Sequence, residues 1–343
     1  VGVIVDGCPA GLPLSEVDIQ HELDKRRPGL VKVTSARLEP DKVEITSGVF
    51  KGLTTGAPIC MVVWNRDVDS TTYEQLRMKP RPGHADYTAY MRYGGFNDYR
   101  GGGRFSGRIT VAFVAAGALA KKLLGKLGVE VLAHTVQIGS VKLSRTVSYE
   151  ETRGQVYKNS VRCADPAAAA LMEEAVLKAF QEGDSLGGVV ECNALNVPVG
   201  LGEPVFDSLD ADLAKAIFNI PGVKGVEFGA GFKAASMKGS ENNDPYVVRD
   251  GRVTALTNNA GGILGGLATG MPITLRVAFK PPASIARMQI TVDIQTMRET
   301  NLKASGRHDP CIVPRAVPVV EACTAIVITD HALRLGCIPR VLK

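Results

Sequence analysis

The segment 81–108, RPGHADYTAYMRYGGFNDYRGGGRFSGR, holds the strongest concentration of chemically useful residues in this chain. It carries five arginines (Arg81, Arg92, Arg100, Arg104, Arg108), no lysine, two aspartates and His84, all amid abundant glycine. A plain solvated face would mix in Lys and Glu. Guanidinium forks match carboxylate and phosphate oxygens bidentately, so the pattern points to a planar, multiply charged anion. Surface arginines on a Gly-rich turn are the competing explanation. The run 101–107 stands just before a helical stretch, which would offer backbone N–H groups and a positive dipole end to a phosphate. His84, an imidazole between Arg81 and Asp86, is the best general-acid candidate. His308 stands in a second loop of Arg and carboxylate, Gly306-Arg307-His308-Asp309-Pro310. His21 on a first helix, His134 opening a strand and His331 in the last helix read as structural.

These loops need a scaffold. Residues 1–5 read as an apolar strand, and Val1 looks like a point inside it, as though the sequence began late. Ser15 precedes a short helix through Ile19 and Leu23, ended by Lys25-Arg26-Arg27-Pro28-Gly29, where cations suit the helix dipole. Residues 43–64 read as strands between Gly-rich turns, followed by a loop to about Gly103. The period of Val111, Val114, Ala115, Ala118 and Leu119 predicts a helix over 111–127. Asp165-Pro166 opens another, stopped at Gly183. Apolar runs at 134–143, 187–200 and 272–279 read as strands, and the last long helix lies within 314–335. Grouped strands with isolated helices predict an α+β fold. No linker or repeat divides the 343 residues, so one domain over 1–343 is expected.

Composition excludes several classes. With 45% hydrophobic and 22% charged residues the chain is globular, and +5 with 6% aromatics is a poor match to a nucleic-acid binder. The best apolar run is interrupted by Glu321 before reaching the roughly 18 residues of a membrane span, so the expectation is a soluble, cytoplasmic protein without a membrane partner. Seven scattered cysteines without C-x-x-C pairs suit reduced, buried thiols and no metal site. Gly229-Ala230-Gly231 superficially resembles a dinucleotide fingerprint, but the required strand–turn–helix setting is absent and Lys238-Gly239-Ser240 would soon break any helix, so the fingerprint is rejected. Asn258-Asn259-Ala260-Gly261-Gly262 lacks the Gly-Lys-Ser/Thr of a P-loop, and suits either tight turns or backbone contact with a flat cofactor.

Together these stretches resemble chorismate synthase. The resemblance runs nearly end to end: IVDGCPAGLPL (4–14), RRPG (26–29), TSGVFKGLTTGAPI (46–59), RPGHADYT (81–88), YRGGGRFSGRITVAFVAAGALAKK (99–122), GDSLGGVVE (183–191), PVGLGEPVFDSLDADLAKAI (198–217), NNAGGILGGLATGMPI (258–273), FKPPASI (279–285) and GRHDPCIVPRAVPVVEA (306–322). It implies a β-α-β sandwich of antiparallel sheets around a helical layer, and usually a homotetramer. It implies a lyase that converts 5-enolpyruvylshikimate 3-phosphate to chorismate and phosphate by 1,4-anti elimination, with reduced FMN lending electron density and NADPH a possible reductant. By motif position His84, Asp309 and Ser106 match catalytic groups: His84 beside the flavin, Asp309 in the relay of the C6 proton, Ser106 at the flavin–substrate contact. Arg104, Phe105, Ser106, Asn242, Gly265, Lys280, Pro281, Pro282, Ala283, Ser284 and Arg307 fall on flavin positions. Arg26 and Lys32 fall on basic positions near a pocket entrance, and Arg27, Arg104 and Arg108 on substrate-anion positions. Phe105 and Gly107 replace Ser and Ala of the commoner Arg-Ser-Ser-Ala-Arg, Ile109 a usual Glu, Lys32 a common Arg and Glu241 a frequent Gln. The resemblance also places a strand ending in Gly-Glu-Ser-His-Gly a few residues before Val1, with a His that would protonate the departing phosphate. Were the native chain to lack it, the alternative is a non-catalytic flavin- or phosphoanion-binding protein.

Overall fold

The structure, a computed structural model, describes residues 1–27, 40–66, 71–304, 306 and 308–343. Strands Val141–Lys142, Glu130–Ile138, Gly188–Leu195, Ile273–Phe279 and Val223–Phe228 form one antiparallel sheet in that spatial order. Gly2–Val5, Ile59–Val63 and Val43–Ile45 form a second, also antiparallel. Three helices lie between them: Glu16–Arg26, Thr110–Gly125 and Val313–Arg334. The expected α+β sandwich is therefore what the chain adopts. Alternation explains it. Val190, Cys192 and Ala194 on one strand and Ile273, Leu275 and Val277 on the next turn the same face inward and are fully buried.

Local chemistry sets the helix ends. Ser15 donates its backbone N–H to Asp18 Oδ2 at 2.8 Å, and Asp165 Oδ1 accepts from the N–H groups of Ala167 and Ala168 at 2.9 and 3.0 Å. The two long helices cross at Gly117. A Cβ built there would stand 2.3 Å from the Ala322 Cβ and 2.5 Å from its Cα. Glycine in a helix interior usually costs about 1 kcal/mol relative to alanine. Here the sign should reverse: Gly117→Ala is expected to lose roughly 1–3 kcal/mol, the usual cost of overpacking, read as a lower urea midpoint at unchanged m-value.

Helix Val313–Arg334 differs from expectation. By length and hydropathy it could cross a bilayer, yet 83% of its apolar window is buried inside the protein. Glu321 does not interrupt it as a solvated charge. Its carboxylate takes Lys121 Nζ at 2.5 Å, the Ala133 N–H at 3.0 Å and the Tyr157 hydroxyl at 3.2 Å, so the buried charge is fully partnered. Lys121 also reaches Glu22 at 2.7 Å. Burial pushes the Glu22 carboxyl up, but the ammonium groups of Lys121 and Lys25 outweigh it and hold it at about 2.

Two further expectations need correction. The stretch before Gly103 is not all loop: helices Thr71–Leu76 and Asp86–Tyr93 lie in it. The second is short and buries only Ala89, so no apolar period marks it; Gly94, left-handed at φ 58°, closes it. His134 sits mid-strand in Glu130–Ile138 rather than at its start, because half-buried Glu130 and Leu132 extend the ladder ahead of it. The hairpin Met288–Asp293/Arg298–Lys303, also unread in the sequence, braces the chemistry. Its Thr291 hydroxyl donates to Pro80 O, and its Ile294 N–H follows on to Met78 O at 2.9 Å.

Candidate active site

The site starts from a turn. The His84 N–H donates to Arg81 O at 3.2 Å, Gly83 supplies φ 72°, and the helix begins at Asp86. This reversal brings the side chains of Arg81, His84 and Asp86 together. Asp86 Oδ1 lies 2.6 Å from His84 Nδ1, while Arg81 grips the carboxylate through Nε to Oδ2 at 2.8 Å and Nη2 to Oδ1 at 2.9 Å. Burial raises the Asp86 carboxyl, yet hydrogen bonds from Arg81 and His84 win and hold it well below the usual range.

Three other segments close on this turn. Arg81 Nη1 donates to Ser284 Oγ at 3.0 Å, and Lys280 Nζ donates to Gly83 O. Burial, then the charge of Lys224, hold the Lys280 ammonium below its ordinary value, a strain that an anion would relieve. Gly101, Gly102 and Gly103 all have positive φ. A Cβ on Gly102 would stand in ordinary contact with Ser106 Cβ at 3.6 Å and His84 Cε1 at 3.8 Å, so this left-handed backbone lies between the two candidate groups. Ser106 Oγ accepts the Arg108 N–H at 3.2 Å and leads into a second cluster. There Arg108 Nη1 meets Asp41 Oδ1 at 2.8 Å, and Arg26 Nη1 meets Asp41 Oδ2 at 3.3 Å. Arg315 Nη1 binds Asp309 Oδ2 at 2.6 Å, and its Nε donates to Arg26 O at 3.3 Å.

The candidates thus divide. His84, Ser106, Lys280 and Ser284 share one neighbourhood, continuous through Arg108 with Arg26 and Asp309. Arg26, expected near a pocket entrance, lies inside the second cluster. It is buried, giving Nε to Thr110 Oγ1 at 2.8 Å and Nη2 to Gly107 O at 3.0 Å, which goes beyond the helix-dipole role expected for it. Burial and then Arg315 pull its guanidinium down to about 9, against Asp41. Arg27 pairs with Asp24 at 3.2 Å, and exposed Arg104 lies over the Tyr93 ring, 5.7 Å from its centroid. The five arginines of 81–108 do not all converge: Arg100 pairs with Asp98 in solvent, and Arg92 is exposed on its helix. Among the described residues no hydrogen bond or ion pair links Asn242 or Gly265 to the group. Asn242 does carry a buried side-chain oxygen without a hydrogen-bond partner, and Gly265 turns a hairpin at φ 61°. Lys32 and Arg307 lie outside the described residues. Arg315 and Asp41 were missed. Nothing local marks them, whereas Asp86, two residues from His84, was signalled by the R-P-G-H-A-D string.

The Gly-rich runs at 229–231 and 258–262 serve each other. A Cβ on Gly229 would stand 2.1 Å from Asn259 O and 2.3 Å from Gly261 N, so the two backbones touch. A strand, Val223–Phe228, does precede Gly229, contrary to expectation, but only a six-residue 3₁₀ turn follows, which still excludes the dinucleotide fingerprint.

An α+β scaffold that gathers an imidazole–carboxylate pair, hydroxyls and several guanidiniums around glycine backbone defines an enzyme for a small, multiply anionic substrate. The chorismate synthase family profile matches residues 1–333. A chorismate synthase of Dehalococcoides mccartyi is 55% identical over the whole chain and 94% of its own length, and one of Korarchaeum cryptofilum is 56% identical over 97% and 92%. A crystal structure of chorismate synthase superposes with TM-score 0.76 at 31% identity, covering 97% of this chain and 88% of that one. This chain belongs to the chorismate synthase family, lyases of the shikimate pathway that form chorismate from 5-enolpyruvylshikimate 3-phosphate.

Proposed function

We propose that the chain carries out this elimination at the joined clusters, as one domain in the cytoplasm. The observation that carries the reading is the continuity from His84 through Gly102 and Ser106 to Arg108 and Asp309. The substrate bears two carboxylates and a phosphate, and an Arg-lined pocket both binds these and stabilises phosphate as it leaves. Reduced FMN fits the donor set: Lys280 and Arg104 are cations for its phosphate, and Ser106 and Ser284 offer hydroxyls. Gly101 has open space beside its backbone, and the Asn242 oxygen needs a donor. When bound, FMN supplies an electron-rich ring that assists loss of the C3 phosphate and of the C6 proton. Phe105, Gly265, Pro281, Pro282, Ala283 and Arg307 complete the flavin set in this reading. His84 holds or delivers a proton beside the ring, and Asp309 moves the C6 proton. Arg26, Arg27, Lys32, Arg104 and Arg108 take the substrate anions, those that are buried acting through the field they set up.

Exposed apolar side chains on the hairpin 288–303 (Met288, Ile290 and Val292) and on a second hairpin, Tyr246–Arg249/Arg252–Ala255 (Tyr246, Val248 and Val253), support assembly into the homotetramer. NADPH as reductant rests on the family resemblance alone.

The test is chorismate formation from the enolpyruvyl substrate with anaerobically reduced FMN. Ligand binding without turnover favours a non-catalytic flavin- or phosphoanion-binding protein instead. Arg104→Lys should weaken FMN or substrate binding roughly 5- to 10-fold, since the charge stays but the fork is lost; an unaltered dissociation constant for both ligands removes Arg104 from the set.

A further inference from the structure

We propose that Asp86, clamped by Arg81, is a positioning residue that fixes His84 in the Nδ1–H tautomer and leaves Nε2 for the reaction. The inference rests on the reading of His84 as the proton-handling group, and it assigns a task to two residues outside the candidate set. An ionised carboxylate only accepts hydrogen bonds. With Asp86 Oδ1 at 2.6 Å, Nδ1 must therefore carry a proton and donate it, so a neutral His84 has its lone pair on Nε2.

Arg81 makes the arrangement rigid. It is buried at 6% exposure, and its backbone N–H also donates to Asp86 Oδ2 at 3.0 Å, so three donors from one residue hold the carboxylate. Its Nη2 lies 3.1 Å from His84 Nδ1 and 3.3 Å from Nε2. A nitrogen so nearly equidistant from both ring nitrogens must sit over the ring face, since an in-plane position would collide with Cε1. The guanidinium thus blocks one side of the imidazole and opposes rotation about χ2. Its remaining arm, Nη1, ties the assembly to Ser284 Oγ at 3.0 Å, on the segment proposed for the flavin. The turn is anchored in its turn by the hairpin contacts to Met78 and Pro80. Asp86 and Arg81 thereby transmit the position of the 280–284 segment to the imidazole, much as an orienting carboxylate does in hydrolase triads.

The decisive variant is Asp86→Asn in the full chain. An amide offers N–H to Nδ1, which drives the ring proton to Nε2. In ¹⁵N-histidine-labelled protein, His84 should show the Nδ1–H pattern in the parent and the Nε2–H pattern in Asp86→Asn, with or without FMN. Turnover with reduced FMN should fall roughly 10- to 100-fold in kcat, the scale of a misdirected proton group, while KM for the enolpyruvyl substrate stays within about threefold. Asp86→Glu, which keeps the acceptor, should recover part of kcat. An Nε2–H pattern in the parent overturns the proposal whether or not any variant folds, and so does an unchanged tautomer in Asp86→Asn. Should the tautomer switch as expected while His84→Ala turns over normally, the positioning holds and the catalytic reading of His84 fails.

Discussion

His84→Ala should slow chorismate formation by roughly 10²-fold or more while leaving substrate and FMN binding within a few fold, the range for loss of a proton-transfer group. The structure makes this a clean deletion. His84 is half-buried, and removing its ring leaves the Arg81–Asp86 ion pair intact, with both of its side-chain hydrogen bonds made without the imidazole. The glycine backbone at 101–103 and the 280–284 segment are held by other contacts, among them Lys280 to Gly83 O and Arg81 to Ser284. The loss should therefore appear in kcat rather than in thermal stability. Steady-state kinetics under anaerobic conditions, beside a melting curve, check it; an unchanged rate strikes His84 from the mechanism.

Asp309→Ala is the second large effect, again roughly 10²-fold or more in turnover, and its electrostatics predict the direction of the binding change. Three guanidiniums, Arg26, Arg108 and Arg315, surround two carboxylates, Asp41 and Asp309. Deleting Asp309 leaves Arg315 without its 2.6 Å partner and makes the cluster more positive. A polyanionic substrate should then bind as tightly or more tightly, so a fall in rate cannot be lost affinity. Asp309→Asn, which keeps size and hydrogen-bonding capacity, separates proton transfer from packing. Should the Asn variant retain full activity, Asp309 acts only as a counter-ion to Arg315.

How legible was this in the sequence? The helices 16–26, 110–125, 166–181 and 313–334 were readable because each carries a cap or a long apolar period. Asp165-Pro166 and Ser15 are local signals that no tertiary contact has to supply. Helix Asp86–Tyr93 and the hairpin 288–303 were not. Each has one thin buried stripe, Ala89 in the first and Thr291 in the second, so periodicity had little to report. Gly117 has no local reason to stand inside a helix; Ala322, about two hundred residues away, fills the place of its side chain.

Residue types and short-range spacing determined that arginines and glycines concentrate in 81–108, that His84 stands beside Asp86 and Arg81, and which family the motifs resemble. Those properties live within five or six residues, and the backbone transmits them directly. Only the tertiary structure decided which arginines face the site. Arg26 and Arg108 share the fully buried Asp41, while Arg100 satisfies itself with Asp98 in solvent. The reason is physical: a buried guanidinium must find a carboxylate wherever the fold brings one near, and sequence distance says nothing about that.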